Sequence, residues 1–392
     1  MKIKYFWRIL TGLFVLFTAV SCRTAPPIQP HLDALDAAVE RAEAARALAM
    51  DFEAPAFFPS EWADADSLFA YAVQERRTET IEEIQTSTER FNISADALEA
   101  VAAMSIARSF ENMERDLAQA RADAVAVGAV TLAPELLSHA DDTVAAFRAM
   151  RQAGDFAAAR DTASNALDMY SIINLLLQVD EIRDRIAYPL EQLAPDYLLQ
   201  ADTAVYDAAQ RWYAGDYSGA LTGAVQALAM NSALETMLFA YAARAQVADR
   251  LEEMYPQGLE RADAAAMDAT DRWDAGDFNG AQLTAATAMV MYFSAWAEAE
   301  RQFALDVRAN VAARQQFDQA QGIFNQANVA ANLMQASEVF SQSAPLFRAS
   351  AYLAIERQLI AEEALRLANE MMAESDEIAR EAERILEGGD LP

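Results

Sequence analysis

Residues 194–228 read APDYLLQADTAVYDAAQRWYAGDYSGALTGAVQAL, an order that predicts a helical hairpin. Pro195 suits the first turn of a helix, where its missing N–H would have no partner anyway and its fixed φ is already helical. No glycine or proline interrupts the chain until Gly215, which can take the left-handed conformation that closes a helix. Asp216 then offers a carboxylate to cap the next helix. Ala220, Ala224 and Ala227, spaced by four and three, give that helix a small-residue face a neighbour can approach closely.

The same hairpin is written three times. Ala133-Pro134-Glu135-Leu136, Ala194-Pro195-Asp196-Tyr197 and Tyr255-Pro256-Gln257-Gly258 stand 61 residues apart. Six residues after each proline comes an Ala-Asp pair: Ala140-Asp141, Ala201-Asp202 and Ala262-Asp263. Twenty residues after it comes Gly154-Asp155-Phe156, Gly215-Asp216-Tyr217 or Gly276-Asp277-Phe278. A weaker copy precedes these, with Pro59 and Ala65-Asp66, and a degenerate one follows over about 317–385, with Phe340 near the place of the turn aromatic. One hairpin cannot bury its alanine face alone, so the units must stack. The fold expected is all-α: an elongated array of stacked long helical hairpins. Ser232 and Glu235 have capping-box spacing, so the long second helix either continues or breaks near Asn231.

Composition agrees. Alanine supplies 88 of 392 residues, against 12 glycines and 11 prolines, which favours helices throughout. Lysine occurs only at Lys2 and Lys4, cysteine only at Cys22, and histidine only at His31 and His139. A thiol nucleophile, a disulfide framework, a Cys/His zinc site and a Schiff-base lysine are therefore excluded beyond the first 22 residues. No phosphate-cradling glycine loop and no Gly-x-Ser-x-Gly elbow occurs. The expectation is a protein that is not an enzyme, with no cofactor, no catalytic residue and no metal.

The N-terminus carries Lys2, Lys4 and Arg8, an apolar run from Ile9 to Val20, and then Ala19-Val20-Ser21-Cys22. This is the pattern of a secretory signal, and the run is short for a bilayer span of roughly 20 residues. The segment resembles the signal of bacterial lipoproteins, whose lipobox ends in a cysteine that is diacylated and becomes the new N-terminus. Ala19 departs from the usual leucine, as in the relaxed lipoboxes of spirochaetes. The resemblance implies lipidation of Cys22, with palmitate-type chains buried at about 0.8 kcal/mol per methylene. The residual chain carries 60 acids against 27 of the 30 basic residues, a net charge of −33. That field disfavours nucleic acid.

Two further resemblances rest on the repeats. Trp212-Tyr213-Ala214-Gly215-Asp216-Tyr217 with Ala220, Ala224, Ala227 and Leu228 resembles the turn and second helix of a tetratricopeptide repeat, with a period of 61 instead of 34 and Arg211 where an aromatic is usual. Residues 121–170 are similar to a short alanine-rich family of unknown function in Gram-negative envelope lipoproteins. Its members often precede a peptidoglycan-binding domain, for which the residues after Leu386 are too few.

These features organise the chain as a signal peptide (1–21), a Pro-rich tether (22–30), N-terminal helices with a degenerate repeat (31–133), three repeats (134–316), a degenerate repeat with a C-terminal capping helix (317–387, the helix from about Ala351) and a tail (388–392). The capping helix should carry Glu362–Arg366 and Asp376–Arg380 pairs on its exposed face. Trp212, Tyr213, Tyr217, Trp273 and Phe278 are candidate partner-binding residues, because aromatics are enriched in recognition surfaces; packing between repeats is the competing role. Asp155, Asp216 and Asp277 are expected to cap helices. Glu61, Asp64 and Asp66 lack the spacing of a calcium loop, and His139 has no second histidine beside it. The expected function is a lipid-anchored scaffold or adaptor facing the periplasm, binding an envelope protein or polymer. The alternatives are an accessory ligand-binding lipoprotein of a transport system, as the tetratricopeptide likeness implies, and a peptidoglycan-associated structural lipoprotein.

Overall fold

The computed structural model describes residues 28–355 and 361–386. The signal, Cys22, most of the tether and the tail lie outside them, as do the side chains of Glu362 and Arg366. Every regular element among the described residues is a helix: α1 Gln29–Asp51, α2 Ala54–Phe57, α3 Pro59–Gln74, α4 Ile81–Ala126, α5 Ala129–Leu132, α6 Pro134–Ala153, α7 Phe156–Leu193, α8 Pro195–Tyr213, α9 Tyr217–Met254, α10 Pro256–Asp274, α11 Phe278–Asp306, α12 Ala309–Ala312, α13 Arg314–Ala327, α14 Leu333–Ile355 and α15 Ala361–Leu386. The protein is all-α, and its helices pack on one another as hairpins. Two compact units divide the chain, 1–118 with 154–160, and 119–153 with 161–392.

In the first unit, α4 starts at a reciprocal capping box: the Thr80 N–H donates to Glu83 (3.0 Å) and the Glu83 N–H to Thr80 Oγ1 (3.2 Å). Two of the orphan donors of a helix start are thereby satisfied. Leu35, Ala42, Ile84 and Phe91 form one part of the core, and Ala49, Ala54, Ala65 and Leu98 another. Phe52, Phe110 and Phe156 form an aromatic trio with centroids 5.7–6.3 Å apart.

In the second unit, α8 packs on α9, α10 on α11 and α13 on α14, while α9, α11 and α14 pack side by side in that order. Four prolines, Pro59, Pro134, Pro195 and Pro256, open the first helices of successive hairpins. The turn glycines Gly154, Gly215 and Gly276 have φ of 79°, 78° and 79° with nothing within 4 Å of an added Cβ. Backbone conformation, not crowding, selects glycine there. Asp216 and Asp277 accept from the backbone N–H three residues on at 3.0 Å, and Asp155 does so at 3.2 Å. The repeat alanines Ala159, Ala163 and Ala166, with their counterparts in α9 and α11, are buried.

Four details differ from the sequence expectation or resolve it. Helix α9 runs unbroken through Asn231; Ser232 offers its carbonyl to the Thr236 hydroxyl, and Glu235 reaches Arg185 Nε at 2.8 Å. Glu235 is thus spent on a neighbouring helix instead of a cap. Phe340 is not the turn aromatic: it lies buried within α14, whose N-terminus is capped by Asn332 (2.8 Å from the Gln335 N–H). The hairpin opened at Arg314 has a 14-residue first helix against 19 in the two before it, which displaces the turn. Near the C-terminus, residues 351–355 belong to α14, which already begins at Leu333, and α15 covers Ala361–Leu386; the five residues between them lie outside the described ones. Arg380 bonds the Asp376 backbone carbonyl at 3.0 Å, not its carboxylate.

The junctions between hairpins fall into two kinds. Before Pro195 and Pro256 a single residue separates two long helices. Before Pro59, Pro134 and Arg314, by contrast, the chain passes through a left-handed residue six positions upstream, at Glu53 (φ 57°), Gly128 (φ 93°) and Arg308 (φ 58°). A single helical turn follows each, beginning at the fully buried Ala54, Ala129 or Ala309.

Candidate functional site

The repeat serves as an internal control. A residue that recurs with its contacts holds the array together, whereas an exposed residue that departs from the repeat is free of that duty. One recurring node joins three helices. Arg121 of α4 grips Asp141 of α6 at 2.8 and 2.9 Å, and the Tyr170 hydroxyl of α7 donates to the same carboxylate at 2.5 Å. Arg244, Asp263 and Tyr292 repeat this geometry at 2.8, 3.1 and 2.6 Å. Arg183 and Asp202 form the middle pair at 2.6 and 2.9 Å, and Arg46 meets Asp66 at 2.6 Å in the first unit. The Ala-Asp pair was visible in sequence; its arginine, 19 or 20 residues earlier on another helix, was not.

Electrostatics follow the geometry. The Arg121 hydrogen bonds hold Asp141 below the usual carboxylate range against the opposing effect of burial. Burial pushes Asp263 up, but the hydrogen bonds from Arg244 and Tyr292 outweigh it and leave this carboxyl low as well. Burial, and then the neighbouring aspartate, push the Tyr170 and Tyr292 hydroxyls up.

A second polar cluster is also structural. Glu300 of α11 is fully buried and accepts from Arg250 Nε of α9 at 3.0 Å, Arg348 Nε of α14 at 2.7 Å and Trp296 Nε1 at 3.3 Å. One carboxylate thereby fastens three second helices. Among the described residues no group of three His, Cys, Asp or Glu side chains is placed to hold a metal ion.

The five aromatic candidates separate into two sets. Trp212 and Trp273 are buried, at 4% and 2% exposure. Trp212 meets His139 edge-on at 5.9 Å and Tyr217 at 5.6 Å. Trp273 lies 5.3 Å from Tyr197 and 4.9 Å from Phe278, and its Nε1 points to Gln200 Oε1 at 3.3 Å. His139 and Gln200 occupy the same place in consecutive first helices, so each tryptophan joins its hairpin to the preceding one. Tyr217 and Phe278 are half-buried in those contacts. Tyr213 alone stands in solvent, 77% exposed.

Tyr213 belongs to a surface that the sequence argument missed. Leu199, Tyr206 and Tyr213 recur every seven residues along α8 and are 65%, 62% and 77% exposed. Seven residues are nearly two helical turns, so the three share one face. Their counterparts are Ser138, Ala145 and Gln152 in α6, and Glu260, Met267 and Asp274 in α10. The fold therefore has no need of two tyrosines and a leucine there. Heptad spacing at positions that break the repeat was the available signal, and the more prominent tryptophans masked it.

The chain matches no protein-family model, no curated protein sequence and no solved structure.

Proposed function

We propose that the protein is a lipid-anchored scaffold or adaptor of the bacterial cell envelope, held by a lipid on Cys22 and docking a partner protein on the solvent face of α8. The observation behind this proposal is the Leu199–Tyr206–Tyr213 stripe. Exposed apolar residues that lie together and serve no packing purpose mark interaction surfaces, and tyrosine is among the residues that contribute most to binding. The negative charge of the chain argues against nucleic acid as the partner. No helix among the described residues is long and apolar enough to cross a membrane, and the signal-to-Cys22 pattern supports lipid attachment. The role proposed is non-catalytic.

The test is a photoreactive phenylalanine analogue at position 206, irradiated in intact cells. One discrete adduct is expected, with none from the same residue at Ala145, the exposed equivalent position in α6. No adduct at 206, or equal adducts at both positions, would overturn the docking face. Palmitate incorporation lost in Cys22→Ala tests the anchor separately, and retention of the label refutes it.

A further inference from the structure

An open, largely apolar cleft lies between the hairpins opened by Pro195 and Pro256, with a volume of about 260 Å³. Leu190, Leu234 and Leu238 line it, and Leu193 and Tyr241, each about half exposed, form its lip. Arg244 is the one charged side chain among its lining residues.

Two features keep this space open. Ala240 and Ala266 stand in its wall where the preceding hairpin junction, 61 residues earlier, carries Val179 and Val205. The wall is therefore recessed by two side chains relative to its own repeat. At the polar end, Tyr292 and Arg244 are both tied to Asp263, so neither side chain can swing in to fill the space. Arg244 spends Nε and Nη2 on Asp263. The cleft thus presents a largely apolar slot with the Arg244 guanidinium held in place by Asp263 among its lining residues.

We propose that this cleft binds a linear amphiphile: an alkyl chain of about eight to ten carbons whose hydrogen-bond-accepting head group meets Arg244. The volume is far above the roughly 10–15 Å³ of probe space that a single water needs, so the cleft has room for a chain of this order. A mostly apolar slot with a small number of convergent polar groups is the usual form of a small-molecule site. This site is separate from the α8 docking face, so its failure would leave that proposal standing.

Decanoate is the probe, titrated calorimetrically into the full chain, with decan-1-ol as the uncharged comparison. Saturable binding of one decanoate per chain is expected, with a weaker affinity for decan-1-ol. Ala240→Val and Ala266→Val restore residues that the protein already carries at the preceding junction. Each should lower decanoate affinity at least tenfold, and thermal melts of the same samples should show an unchanged or raised midpoint. Absence of saturable binding would overturn the proposal. So would affinity unaffected by either valine, or valine variants that lose binding only together with their helical fold.

Discussion

Asn231 occupies the position that Tyr292 holds one hairpin later. The Tyr292 hydroxyl donates to Asp263 at 2.6 Å, whereas Asn231 Nδ2 turns back to the Ala227 carbonyl at 2.9 Å and its Oδ1 is buried without a partner. The middle Arg–Asp node therefore lacks its third member, and α9 carries an unmet acceptor in its interior. Tyr292→Phe should cost about 1.5 kcal/mol, the worth of a hydrogen bond to a charged group. Asn231→Leu, of similar branching and without polar atoms, should stabilise by about 1 kcal/mol through removal of the unmet acceptor. Urea midpoints compared with the parent chain measure both; an unchanged midpoint in Tyr292→Phe would remove the node from the account of stability.

Acid sensitivity follows from the same nodes. Asp141 and Asp263 titrate below the ordinary value of 3.8 in the folded chain. A carboxyl with a depressed folded pKa contributes stability that is fully present above its unfolded pKa and is lost as pH falls through the folded one. Melting temperature should therefore drop as pH is lowered below about 4. The drop should be shallower in Asp263→Asn, which has no proton to gain. Parallel melting curves for the two chains from pH 5 downward would contradict the assignment.

The left-handed junction residues offer a stabilising change. A non-glycine residue in that conformation carries a penalty of about 1–2 kcal/mol, part of which glycine returns through its greater freedom in the unfolded chain. Arg308→Gly and Glu53→Gly should each raise stability by about 0.5 kcal/mol. Gly215→Ala, the reverse change at a hairpin turn, should lower it by about 1 kcal/mol. Thermal melts of the three variants supply the comparison, and a destabilised Arg308→Gly would mean its side chain contributes more than its backbone conformation costs.

The aromatic residues should separate by role. Trp273→Ala removes a buried ring shared with Tyr197 and Phe278 and should cost about 3–5 kcal/mol. Tyr213→Ala, on an exposed position, should change stability by less than about 0.5 kcal/mol while weakening capture of the partner. Denaturation and crosslinking yield, measured on the same two variants, distinguish the roles.

Glu300 should prove the most sensitive single carboxylate. Glu300→Gln removes the carboxylate that Arg250 and Arg348 share and leaves Arg250 with only the more exposed Glu253 at 2.7 Å; it should cost about 3 kcal/mol or more. Replacing the trio together, as Arg250→Met, Glu300→Leu and Arg348→Met, should recover most of that loss, because paired buried charges exchange for apolar groups at little net cost. A triple variant less stable than Glu300→Gln would contradict this.

What the sequence determined by itself is local. Prolines at helix starts, glycines at turns, aspartate caps and the alanine stripe act within four residues or so, and the 61-residue period repeats them; the all-α hairpins were legible from these alone. Tertiary structure decided which faces meet. Sequence left Trp212 and Trp273 with two roles open, partner binding or packing between repeats, and the preceding hairpin covers both rings; Tyr213, adjacent in sequence, is left in solvent by a 100° step around the helix. The arginine partners of the Ala-Asp pairs, the clamp on Glu300 and the recess made by Ala240 and Ala266 all join residues from separate helices. Helical periodicity specifies which side of a helix is buried, not which neighbour buries it, so these contacts became visible only once the hairpins were stacked.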